Sequence, residues 1–288
     1  MLPLPCLVLL LPCLPAAELP GGANTLLDRQ LGDLVKAKDH PGVIRLLEGL
    51  PARERGRHAF QWLNALRRTE QWERLRGECV VALGDNAGRP GLLLTMASFL
   101  QGEALSRLGR HREALELYLR VGQGGDPNGH LLACHEATML GDWKAQETAA
   151  GALVAKAPGN GEYQGLLGMA VAKQGRFAEA EVSLLESVRL RPEGAMAWAD
   201  LACCRNERGA YAEAFEAATR ALAAEPRLLE GLCNRGRACM GLTRYREGRD
   251  DYAAALALQP ADPILVRNLK ANITMADQYL AYRKPKAR

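Results

Sequence analysis

Aromatic residues are scarce in this chain of 288 residues, at 5% of a composition that is 48% hydrophobic. Sheets draw their packing from aromatic and β-branched side chains, whereas Ala, Leu and Gly suit closely packed helices. The shortage argues against a β-sandwich or a barrel. Charge of one sign is missing too: 37 Lys and Arg face 33 Asp and Glu, a net charge of +4. Nucleic-acid binders carry a concentrated basic footprint, and the one basic cluster here is the tail Arg283, Lys284, Lys286 and Arg288. Nucleic acid is therefore not the expected partner. From Leu19 onward no apolar run approaches the ~20 residues of a membrane-spanning helix.

The motifs of catalysis are also wanting. No G-x-S-x-G, P-loop, dinucleotide fingerprint, H-E-x-x-H or C-x-x-C occurs, so neither an enzyme nor a cofactor is expected. The best metal candidate is His130, Cys134, His135 and Glu136, whose spacing can share one side of a helix. Against it, Cys134 falls where a small packing residue belongs. Six cysteines follow the leader: Cys79, Cys134, Cys203, Cys204, Cys233 and Cys239. They form no short-loop disulfide framework and read as core thiols, with a bridge from Cys203 or Cys204 to Cys233 left open.

Residues 1–17 carry no charge, and their apolar centre, Cys6 to Leu11, is too short to span a bilayer. Small residues Ala16 and Ala17 close the stretch, as ahead of a leader cleavage site. No Lys or Arg precedes the apolar run, and Pro15 sits where a small residue is wanted. Export to the periplasm or beyond, with membrane attachment only through the leader, is the expectation. A cytoplasmic chain is the alternative.

What the sequence does have is a period. Pro158, Pro192, Pro226 and Pro260 stand 34 apart (192−158, 226−192 and 260−226). Each interval holds a helical pattern, a short turn, an aromatic residue (Phe177, Tyr211, Tyr245) and a second helical pattern. Small residues recur inside: Gly168, Ala202 and Gly236 in the first helix, Ala180, Ala214 and Gly248 in the second. They let the two helices of a hairpin approach closely, and the proline stops the second helix.

A fixed 34-residue period of helix pairs resembles the tetratricopeptide repeat. The resemblance is strongest over 161–260, continues through 93–158, and decays in 25–92. It implies an all-α, right-handed solenoid of antiparallel helix pairs, with 261–288 as a capping helix and basic tail. It also implies a non-enzymatic scaffold that holds a protein or peptide in a concave groove, similar to exported bacterial repeat proteins of cell-envelope assembly. A cytoplasmic co-chaperone adaptor is the alternative. Its carboxylate clamp, Lys at position 5 and Asn at position 9, is replaced here by Gly165, Ala199 and Cys233 and by Met169, Cys203 and Arg237.

The family places positions 2, 5, 9, 12 and 13 of each first helix on the groove wall. In the unit starting at Thr95 these are Met96, Phe99, Glu103, Ser106 and Arg107; in the next, Asn128, Leu131, His135, Thr138 and Met139. Met169, Met196 and Arg237 follow further along. Several are large and apolar, as at an interface for an apolar or amphipathic segment.

Overall fold

The structure is a computed structural model that describes residues 26–85 and 92–282. The expected leader, residues 1–17, and the basic tail lie outside the described residues. Sixteen α-helices and one 3-10 turn account for the described secondary structure, and no strand occurs among the described residues. The chain divides into two compact units, Met1–Gln71 and Trp72–Arg288.

The first unit holds α1 (Leu26–Lys36), α2 (His40–Glu48), the single turn α3 (Ala52–Arg55), the 3-10 turn Gly56–His58 and α4 (Ala59–Arg68). Asp39 caps α2, where the Gly42 amide donates to its Oδ1 at 2.8 Å and Pro41 sits in the first turn. A proline there forfeits no hydrogen bond, because the first helical amides have no intrahelical partner. Val43, Ile44 and Leu47 of α2 are buried, as are Trp62, Leu63 and Leu66 of α4, and the two helices pack on each other.

The second unit runs through α5 (Trp72–Asp85), α6 (Leu92–Arg107), α7 (His111–Gln123), α8 (Pro127–Leu140), α9 (Trp143–Lys156), α10 (Gly161–Lys173), α11 (Phe177–Leu190), α12 (Ala195–Glu207), α13 (Tyr211–Ala224), α14 (Leu229–Gly241), α15 (Tyr245–Ala257) and α16 (Pro263–Tyr282). From α5 on, each helix packs on the next. The first helices α10, α12 and α14 also pack side by side. This is an α-solenoid of helix pairs. Second helices begin at Trp143, Phe177, Tyr211 and Tyr245, 34 apart, so the proline period was the period of the fold.

The hairpin turn needs a left-handed residue. Gly109, Gly141, Gly175 and Gly209 have φ between 67° and 78°, and Thr243 fills the same place in the last repeat at φ 59°. A β-branched residue is strained there, which only glycine avoids. After this turn an Arg and a Glu recur at one spacing: Arg110–Glu113, Arg176–Glu179 and Arg244–Glu247 are ion pairs across the first turn of the second helix. All are solvent-facing and add little stability.

The core is built from small residues and leucine. Ala180, Leu184, Ala202, Ala217 and Ala218 are wholly buried in one cluster. A Cβ on Gly168 would come within 2.6 Å of Leu184 Cγ, the close approach that a small residue at this position permits. Burying a leucine such as Leu184 is worth roughly 1.5–3 kcal/mol.

Candidate interaction wall

The wall starts from the stacking of α10, α12 and α14. Neighbouring first helices are stitched by side-chain amides. Asn206 Nδ2 donates to the Asn234 carbonyl at 2.9 Å, and Asn234 Nδ2 donates to the Ala199 carbonyl at 2.9 Å. Arg237 on α14 forms an ion pair with Glu207 on α12, which lowers the Glu207 pKa from its ordinary value. Beneath, Arg235 grips the buried Asp251 of α15, with Nε donating to Oδ2 at 2.9 Å and Nη2 to Oδ1 at 2.6 Å.

Met169, Met196 and Arg237 lie on these three adjoining helices. Met196 is 39% exposed, Arg237 is exposed and Met169 is half-buried. Met139, on α8, is 50% exposed. His135 is half-buried on the same helix, and Thr138 turns its hydroxyl back onto the Cys134 carbonyl at 2.8 Å.

The α6 residues differ from expectation. Met96 is only 5% exposed and belongs to the core, not to a surface. The stack extends one helix further than the Thr95 unit, because α5 packs along α6. Phe99 is half-buried against Tyr118, with ring centroids 6.3 Å apart. Leu131 likewise packs on the core cluster around Tyr118 and Cys134. Glu103 is half-buried, and the Arg107 guanidinium sits 5.6 Å from the centre of the Trp72 ring.

The four metal-candidate residues do not converge. His130 is buried with its ring against Gly122, and Glu136, 1% exposed, bonds to His111 Nδ1 at 2.8 Å. Among the described residues, no group of three or more His, Cys, Asp or Glu side chains is placed to share an ion. The six described cysteines are free thiols. Burial pushes Cys134 up to about 12 and Cys233 up to about 11, far from thiolate formation near neutrality.

Asp200 escaped the sequence reading. It stands on α12 between Met196 and Cys203, half-buried, and desolvation pushes its carboxyl up to about 7. Its one sequence signal was an acid one helical turn from Met196, on the same side of the first helix.

The fold is an α-solenoid of the kind found in tetratricopeptide repeat proteins. Residues 140–189 match the family described as tetratricopeptide repeat. A tetratricopeptide repeat protein from Parabacteroides merdae has the same fold at 15% identity and a TM-score of 0.63, over 78% of this chain and 87% of that one. The C-terminal part of a repeat-containing protein from Cytophaga hutchinsonii is similar at 12% identity and a TM-score of 0.62, over 83% and 98%. YrrB, described as a repeat protein with an unusual peptide-binding site, is similar at 16% identity and a TM-score of 0.50, over 67% and 97%. No curated protein matches the chain in sequence.

Proposed function

We infer that the chain is a non-enzymatic scaffold whose first-helix wall holds an apolar or amphipathic segment of a protein partner. The observation that carries this is the exposure of Met139 and Met196, with Met169 half-buried between them, on first helices whose other large apolar side chains are buried or pack half-buried against the core. Methionine is unbranched and polarisable, so a surface of it adapts to varied apolar ligands. The peptide-binding site named for YrrB supports the reading by analogy of fold. Phe99 and Leu131 serve the wall chiefly by packing beneath it, so the accessible methionines are the better probes.

The test is a pair of variants, Met139→Asp and Met196→Asp. Each is expected to lose at least about tenfold in affinity for a partner co-purified from the native host, with the helical signal and melting temperature kept. Undiminished affinity in both would exclude the wall. The leader adds a second element to the proposal: the scaffold works in the cell envelope, in assembly of envelope machinery. Cell fractionation tests it, and a chain found wholly in the cytoplasm would move it to an adaptor role there.

A further inference from the structure

One repeat leaves open a place that the next one fills. The fourth residue of the first-helix segment is His130, Trp198 and Leu232 in three repeats, each buried or half-buried, and Gln164 in the remaining one. Trp198 shows what the place accommodates. Its indole Nε1 donates to the Pro192 carbonyl at 2.8 Å, and the Arg220 guanidinium of α13 sits 5.0 Å from the ring centre. One period earlier, Gln164 Nε2 donates to the Pro158 carbonyl at 3.2 Å, so the amide reproduces the hydrogen bond. It does not reproduce the ring. What remains is a cleft of about 530 Å³ between Gln164 and the solvent-facing side of α11, lined also by Val182, Ser183, Leu185, Glu186 and Arg189. Glu186 stands one period before Arg220, so the cleft and the Trp198 indole occupy corresponding parts of neighbouring repeats.

The side chains around the cleft are apolar where other repeats are not. Val182 is 69% exposed and Leu185 44%. The place of Val182 is taken by Thr148, Glu216 and Asp250 in the other repeats, and that of Leu185 by Gly151, Thr219 and Ala253. A lone apolar residue on a surface is ordinary, whereas two of them one helical turn apart beside a cleft mark a contact. Glu186 also holds Arg189 by two bonds, with Nε donating to Oε2 at 2.7 Å and Nη2 to Oε1 at 2.6 Å. This orients a planar guanidinium at the rim.

We propose that the cleft takes a tryptophan side chain from a protein partner, seated beside Gln164 as Trp198 is seated in its own repeat. The contact lies on a second helix and stands apart from the first-helix wall. Val182 and Leu185 supply its apolar sides, and Arg189 supplies a cation for the ring face. Gln164 Oε1, left over once Nε2 is spent on Pro158, accepts the indole N–H. Tryptophan is enriched among the side chains that anchor protein interfaces.

The experiment uses the full chain and two short blocked Gly/Ser peptides with a central Trp or a central Ala, titrated by solution NMR. The Trp peptide should bind at least about tenfold more tightly than the Ala peptide. Gln164→Trp places the chain's own indole in the cleft, so it should erase that preference and keep or raise the melting temperature. Val182→Asp and Leu185→Asp, both at exposed positions, should each weaken the Trp peptide and leave the helical signal unchanged. Equal binding of the two peptides by the wild type would overturn the cleft, as would a Trp preference that both Asp variants retain. A preference that Met196→Asp abolishes and a folded Gln164→Trp keeps would send the aromatic side chain to the wall and overturn this site alone. Self-association of the wild type that Gln164→Trp abolishes would make the occupant a second copy of the chain and overturn a separate partner.

Discussion

Gln146 fills the place that Ala114, Ala180, Ala214 and Gly248 fill in the other repeats. It is wholly buried, and neither its Nε2 nor its Oε1 has a hydrogen-bond partner. A buried polar atom left unpaired forfeits its hydration without return. Gln146→Met keeps the volume and removes both atoms, so it should raise stability by about 1–3 kcal/mol in urea unfolding; a loss would show that the amide is paired in solution. Asp200 carries a second prediction, on pH. The unfolded carboxyl ionises near 3.8, whereas desolvation in the fold delays ionisation to about 7. The folded state therefore binds the extra proton between these values, and stability falls as pH rises through that window. The melting-temperature advantage of Asp200→Asn over the wild type should widen from about pH 4 to about pH 7 and then level off. An advantage that does not change with pH would mean the carboxyl is solvated.

At the scale of the helix, the informative element is the short repeat. Gly141 follows Gly109 by 32 residues, whereas Gly175 and Gly209 each follow by 34. The missing two residues leave little slack between α7 and α8, and the helices meet backbone to backbone. A Cβ on Gly129 would lie 2.4 Å from the Gly122 amide nitrogen and 2.8 Å from the Tyr118 carbonyl oxygen. Backbone cannot step aside as a side chain can. Gly129→Ala should cost about 1–3 kcal/mol, while Gly159→Ala, with nothing within 4 Å of its new methyl, should cost nothing measurable. Equal melting temperatures for the two variants would contradict the close approach.

At the scale of the molecule, the solenoid could be read from proline, glycine and alanine because each marks a backbone event: a helix stop, a left-handed turn, a close crossing. Those events recur at 34 residues wherever the repeat is regular. The wall was legible in part. Position within the repeat anticipates the exposure of Met139, Met196 and Arg237 and the half-burial of Met169. It does not anticipate Met96, which is buried on α6, where α5 packs alongside and the repeat pattern is weakest.

Hydrogen exchange on the full chain, with and without a bound amphipathic peptide that lacks aromatic residues, tests the binding wall most directly. Binding should slow exchange in α10, α12 and α14 and leave the second helices α11 and α13 as they were. Protection confined to α11 and α13 would place the partner on the opposite face and contradict the account.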